Sequence, residues 1–107
     1  MEYRFAARAL ADLRGIAAYT TSEWGVDQCE RYIAALQTCC QGLADDPQRG
    51  RACDHISAGL FRQEQGRHVV FYRHRPYGVR VVAILHDRML PELHLTGDED
   101  DDEGASF

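Results

Sequence analysis

Two residue types with chemistry to offer crowd into the second half of this chain. Residues 49–95 hold eight arginines and all five histidines against four carboxylates, whereas residues 1–48 hold four arginines against seven carboxylates. Histidine exchanges a proton near neutral pH. Arginine grips carboxylates and phosphates through a planar, permanently charged fork. The clustering points to a basic face that meets an anion, either a phosphate backbone or an acidic partner. The plainer reading is that the arginines flank strands as solvated edge residues. All twelve basic residues are arginine.

Single positions narrow this. Arg88 follows an apolar run that ends at His86, so a buried strand would hold its backbone rigid and aim its side chain. It is expected to meet an acidic or phosphate surface of a target; the local alternative is an ion pair with Asp87 or Glu92. His86 is expected to fix the C-terminal segment by a hydrogen bond, and His68 to pack as a strand histidine. Arg62, Arg73 and Arg80 alternate with apolar neighbours, so at least one should bury its stem and keep its head wet. Arg88, His86, Arg62 and Arg73 form the expected target-binding set. Cys29, Cys39, Cys40 and Cys53 include no C-x-x-C pair and no paired histidines beside them, which speaks against zinc. They read as reduced structural thiols, and neither a metal nor a cofactor is expected.

The elements that must position these groups follow from periodicity. Residues 2–6 alternate weakly as a first strand. Leu10, Leu13, Ile16, Ala17 and Thr20 fall on one helical face between Ala7 and about Ser22. Trp24-Gly25 breaks the pattern. A second stripe, Cys29, Ile33, Leu36, Cys40 and Leu43, marks a helix from about Val26 to Ala44. Pro47 stops it, and residues 45–50 read as a loop. Strands follow at Leu60–Glu64, Arg67–His74 and Val79–His86, with turns at Gln65-Gly66 and Pro76-Tyr77-Gly78. The last strand is the most apolar and belongs near the sheet centre. The expected fold is α+β, in the order β-α-α-β-β-β, with a helical hairpin packed on a mostly antiparallel sheet.

The strands carry a recognisable pattern. Gly66-Arg67-His68-Val69-Val70-Phe71-Tyr72-Arg73, followed by Ile84-Leu85-His86-Asp87-Arg88-Met89, resembles the ParE branch of the ParE/RelE toxin superfamily. Trp24 to Tyr32 is similar to that branch's hairpin turn, and Asp46 to Arg51 to its loop into the sheet. The resemblance covers roughly residues 1–95 and implies the same fold. It implies the toxin of a type II toxin–antitoxin system of the kind linked to plasmid stabilisation. Its partners would be a ParD-like antitoxin and DNA gyrase, bound and inhibited rather than turned over. The alternative that the superfamily offers is a ribosome-dependent mRNA endonuclease of the RelE kind. That reaction needs a base, a cation for the pentavalent phosphate and an acid. Arg88 matches the arginine after the last strand, while His68 stands in place of a central arginine and His94 in place of a terminal tyrosine. Arg49 and Arg51 occupy a loop that is lysine-rich in those enzymes.

Partner contacts are expected where a helix and an extended segment of the antitoxin would wrap the toxin. Phe61, Tyr77 and Leu60 are candidate anchors, though Leu60 is expected rather to complete the core. Direct nucleic-acid binding and membrane contact are not expected. The opening Met1-Glu2-Tyr3-Arg4-Phe5 lacks a signal pattern, so the cytoplasm is the expected compartment. The domain is expected to span residues 1–95. Residues 96–107 read as an acidic, disordered tail, because 98–103 are six consecutive acids; without them the formal charge of −5 turns slightly positive. Such a tail serves solubility, or it folds back on the arginine-rich face as a mimic of nucleic acid, a contact that salt would weaken.

Overall fold

A computed structural model describes residues 1–95 and 103–106. The chain runs β1 (Glu2–Ala6), α1 (Ala7–Trp24), α2 (Val26–Asp45), a 3-10 turn (Pro47–Arg49), β2 (Arg51–Ala52), β3 (Leu60–Gln65), β4 (His68–Arg75), β5 (Gly78–His86), α3 (Pro91–His94) and β6 (Glu103–Ser106). The strands form one sheet in the order β2-β3-β4-β5-β1-β6. All pairings are antiparallel except β1 on β5, where Glu2 lies opposite Gly78 and Phe5 opposite Val81. The expected α+β order and helical hairpin are borne out.

β5 sits mid-sheet because it can. Its residues Gly78 to Leu85 are all buried, and a run that is apolar but for Arg80 suits a strand covered on both faces. β4 achieves the same by alternation. Val70 and Tyr72 face the helices and join a core of Phe5, Leu10, Leu13, Ile16, Leu36, Cys40, Leu43, Val79 and Val81. Val69 and Phe71 point the other way, into a second cluster with Leu60, Val82, Leu85, Cys53 and Leu95. The helices therefore cover one face, as expected, while the 53–60 loop and Leu95 cover part of the other. The four cysteines are free thiols, and burial pushes Cys40 up to about 12, so it packs as a small hydrophobe.

Two glycines are dictated by close approach. Gly78 has φ +142°, and a β-carbon there would collide with the Glu2 carbonyl of β1. Gly66 has φ +60° in the β3–β4 turn, and a β-carbon would come within 2.8 Å of the Tyr32 ring. That turn is Gly66-Arg67 rather than Gln65-Gly66, one residue later than the sequence suggests. β1 stops at Ala6, which removes the strand partner of the Ile84 amide on β5. Asp12 of α1 replaces it, its carboxylate accepting that N–H at 3.0 Å and the Arg8 side chain at 3.1 Å. Burial pushes the Asp12 carboxyl up, against the pull of these two donors.

The short β2, α3 and β6 carry no periodic signal and were not expected. Most of the 96–107 segment, including five of its six consecutive acids, lies outside the described residues. Glu103–Ser106 form a strand on β1, with Arg4 opposite Ser106 and Ala6 opposite Glu103. For those four residues the expected irregular tail gives way to sheet pairing. No helix among the described residues is long and apolar enough to cross a membrane.

Candidate functional site

The ends of β4 and β5 meet the tip of the helical hairpin around a cleft of about 630 Å³. Tyr19, Thr20, Trp24, Gln28 and Tyr32 line it from the helices; Arg67, His68, His86 and Arg88 line it from the sheet. The register explains the meeting, because His68 and His86 lie directly opposite each other at the last pair of β4–β5. Their rings form an edge-on contact with centroids 5.4 Å apart. Trp24 and Tyr19 are 71% and 65% exposed, so the hairpin offers two aromatic surfaces without a packing role.

Tyr32 organises the floor of this cleft. Its hydroxyl accepts the Arg67 N–H at 3.1 Å and lies 2.5 Å from His68 Nδ1 and 3.3 Å from the Gln65 carbonyl. A hydroxyl has one proton to give, and neutral His68 is the nearer acceptor. Burial, followed by the nearby His86, pushes the His68 pKa down against the opposing pull of Asp87. That keeps the ring neutral and able to accept. Burial likewise raises the Tyr32 pKa, so the phenol keeps its proton.

His86 faces a choice. Its Nδ1 is 3.2 Å from the Arg88 N–H and 3.0 Å from the Asp87 carboxylate. Unprotonated, that nitrogen accepts from Arg88; protonated, it donates to Asp87. The hydrogen bond to the following segment is the one expected of His86. Arg88 itself is exposed on the rim. Among the described residues it makes no ion pair with Asp87 or Glu92.

The structure brings together only some of the expected site residues. Arg88, His86 and His68 share the cleft. His94 does not: its carbonyl accepts from Arg8 at 2.5 Å beside α1, so the trio proposed for RNA cleavage is not assembled. Arg62 and Arg73 project from the opposite face. Arg62 pairs with Glu64 at 3.2 Å and lies over Phe71, while Arg73 binds Ser57 Oγ and the Ala58 carbonyl at 2.7 Å each. The four-residue target set thus divides between two faces, because residues 62 and 73 fall on the alternate side of the pleat from 68 and 86. Of the anchor set, Leu60 is fully buried and belongs to the core. Phe61 stacks on His74 at 4.2 Å on the helix side, and Tyr77 lies under Arg4 at 4.0 Å in the β4–β5 turn. These three do not form one patch.

The model of the family described as "ParE toxin of type II toxin-antitoxin system, parDE" matches residues 3–91. The chain belongs to the ParE toxin family. It is 40% identical over 95 residues to Toxin ParE1 of Caulobacter vibrioides, covering 87% of this chain and 96% of that one. It is 41% identical over 88 residues to Toxin ParE1 of Mycobacterium tuberculosis, covering 81% and 90%. A solved structure described as the chromosomal ParDE TA system from P. aeruginosa matches with a TM-score of 0.68 over 80% of this chain and 95% of that one. Its identity is 15%, so it speaks to the fold alone.

Within this ParE-family chain the sequence reading missed Tyr32, Arg67 and Trp24 as cleft residues. Tyr32 was hidden because it lies beside, not on, the apolar stripe of α2. The signal that finds it is the pairing of a helix tyrosine with a turn glycine, and only the fold supplies that pairing.

Proposed function

We propose that this chain is the toxin of a ParDE pair that inhibits DNA gyrase by binding it, and that a ParD-like antitoxin silences it. The observation that carries the reading is the cleft. It joins two arginines and two histidines to two exposed aromatics, the composition of an interface hot spot rather than of a small-molecule pocket. Arg88 and His86 are the target contacts in this reading, with Arg67 and Trp24 beside them. Gyrase places the toxin in the cytoplasm.

The test is a supercoiling assay with purified chain and gyrase. The intact chain should block supercoiling or trap cleaved DNA, and Arg88→Ala should weaken inhibition about tenfold, the scale of losing one interface arginine. Unaltered supercoiling at large molar excess of folded chain would end the gyrase reading. A co-expressed ParD-like antitoxin should restore growth of cells making the toxin.

A specific observation keeps one second reading, the ribosome-dependent mRNA endonuclease. His68, His86 and Tyr32 stand within reach of one another, and such groups can exchange protons in phosphoryl chemistry. Mapping mRNA ends in a translation extract decides it, and intact messages reject it.

A further inference from the structure

Two histidines face each other where β4 begins and β5 ends. The Asp87 N–H donates to the Arg67 carbonyl at 2.9 Å, which puts the ladder bond on the pair 67/87. The neighbouring pair, His68 and His86, is therefore of the non-hydrogen-bonded kind. In such a pair the Cα atoms lie about 4.5 Å apart and the side chains come closest. The two rings stand at 84° with centroids 5.4 Å apart. Two imidazoles that share one tetrahedral ion through bonds of about 2.0–2.1 Å hold their centroids roughly 5 Å apart. In both rings Nδ1 is engaged. That of His68 lies 2.5 Å from the Tyr32 hydroxyl; that of His86 lies 3.2 Å from the Arg88 N–H and 3.0 Å from the Asp87 carboxylate. Among the described residues neither Nε2 has a hydrogen-bond partner.

We propose that His68 and His86 together bind a late transition-metal dication of the Zn²⁺ class through their two Nε2 atoms. Imidazole nitrogen is a ligand that such ions favour. A metal-bound histidine gives the proton of its other nitrogen to a carboxylate, carbonyl or comparable acceptor, which fixes the ring. Both acceptors are in place. In His86 the ring proton passes from Nε2 to Nδ1 and is donated to Asp87, while the exposed Arg88 N–H turns to water. In His68 the ring proton passes to Nδ1 and is donated to the Tyr32 oxygen. The Tyr32 hydroxyl then turns its own proton to the Gln65 carbonyl, 3.3 Å away, and still accepts the Arg67 N–H. A phenol oxygen has lone pairs for both donors, and no proton is gained or lost. Arg67 and Arg88 oppose a cation, but both are exposed and so screened by solvent. No third histidine, cysteine or carboxylate among the described residues completes a metal-binding group. The remaining positions of the ion are filled by water, or by a side chain of a macromolecule bound in the cleft.

The experiment titrates Zn²⁺ into the full chain, metal-free and with its thiols reduced, carrying nitrogen-15-labelled histidine. At sub-millimolar zinc, His68 and His86 should both convert to the form with a proton on Nδ1 and a metal-shifted Nε2. His55, His74 and His94 should stay as they were, and Mg²⁺, which prefers oxygen ligands, should move none of the five. His86→Gln should weaken zinc binding by about tenfold or more, and Asp87→Asn, which removes the acceptor for His86, by about tenfold. The variant C29S/C39S should bind as before, which separates the histidine pair from the partly exposed thiols. Circular dichroism confirms that each variant is folded. Unmoved His68 and His86 resonances at sub-millimolar zinc would overturn the proposal, as would equal uptake by His86→Gln or loss of binding in C29S/C39S. Zinc is read on the chain alone, so neither result bears on the gyrase reading.

Discussion

Tyr32→Phe removes one oxygen and leaves the ring, so it isolates what the hydroxyl does. The ring still packs edge-on against His68, with centroids 5.4 Å apart, and still covers Gly66. What disappears is the acceptor for the Arg67 N–H and the nearest partner of His68. Each such bond contributes about 0.5–1.5 kcal/mol net. Cleft water re-solvates part of what is exposed, so the expected loss is about 1–2 kcal/mol. For a domain of this size each kcal/mol lowers Tm by roughly 4–8 °C. Thermal unfolding followed by circular dichroism measures the shift, and exchange of the Arg67 amide reports the turn directly. That amide should lose protection before the rest of β4. If the chain inhibits gyrase as proposed, that inhibition should weaken in parallel, because Arg67 and His68 lose their common anchor. If Tm moved by less than about 1 °C and the Arg67 amide exchanged as before, the hydroxyl would not be holding the turn.

Three further outcomes are expected. Asp12→Ala leaves the Ile84 amide without its acceptor and should cost about 1–3 kcal/mol, measured by urea unfolding; Asp12→Asn should recover part of it through its carbonyl. Gly78→Ala should destabilise more than an ordinary strand substitution, since its β-carbon meets the Glu2 carbonyl at a positive φ, and exchange should quicken first in β1. The folded chain holds the His68 pKa below its ordinary 6.5, so the unfolded chain takes up that proton more readily. Stability linked to His68 is then full above about pH 6.5 and falls as pH drops through the depressed value; His68→Gln should flatten that part of a Tm-against-pH curve.

The two long helices and three long strands were legible because burial repeats along them. Leu36, Cys40 and Leu43 are buried as the α2 stripe requires, and β5 is apolar enough to demand the centre. The second apolar cluster was not legible, since Cys53, Ile56 and Leu95 come from segments without periodicity. β6 was hidden for a different reason: acidic composition argues against a strand, and only an available edge on β1 recruits it. Arg88, His86 and His68 come together at one cleft because strand ends aim side chains. The split of Arg62 and Arg73 from them depends on which side of the pleat each residue takes. The bulge between Phe71 and Tyr72 adds to the difficulty, as it shifts β5 by one residue against β4.

The parallel pairing of β1 with β5 also sets an order of events during synthesis. The first strand of this domain has its β5 partner, beginning at Gly78 for Glu2, among the last of the domain's strands to be made. Chain closure of that span is slow compared with local hairpin formation. The helices and the β3–β4 ribbon can gather early, but β1 cannot be clamped until β5 has left the exit tunnel. A growing chain therefore cannot close this sheet until nearly all of the domain has been made.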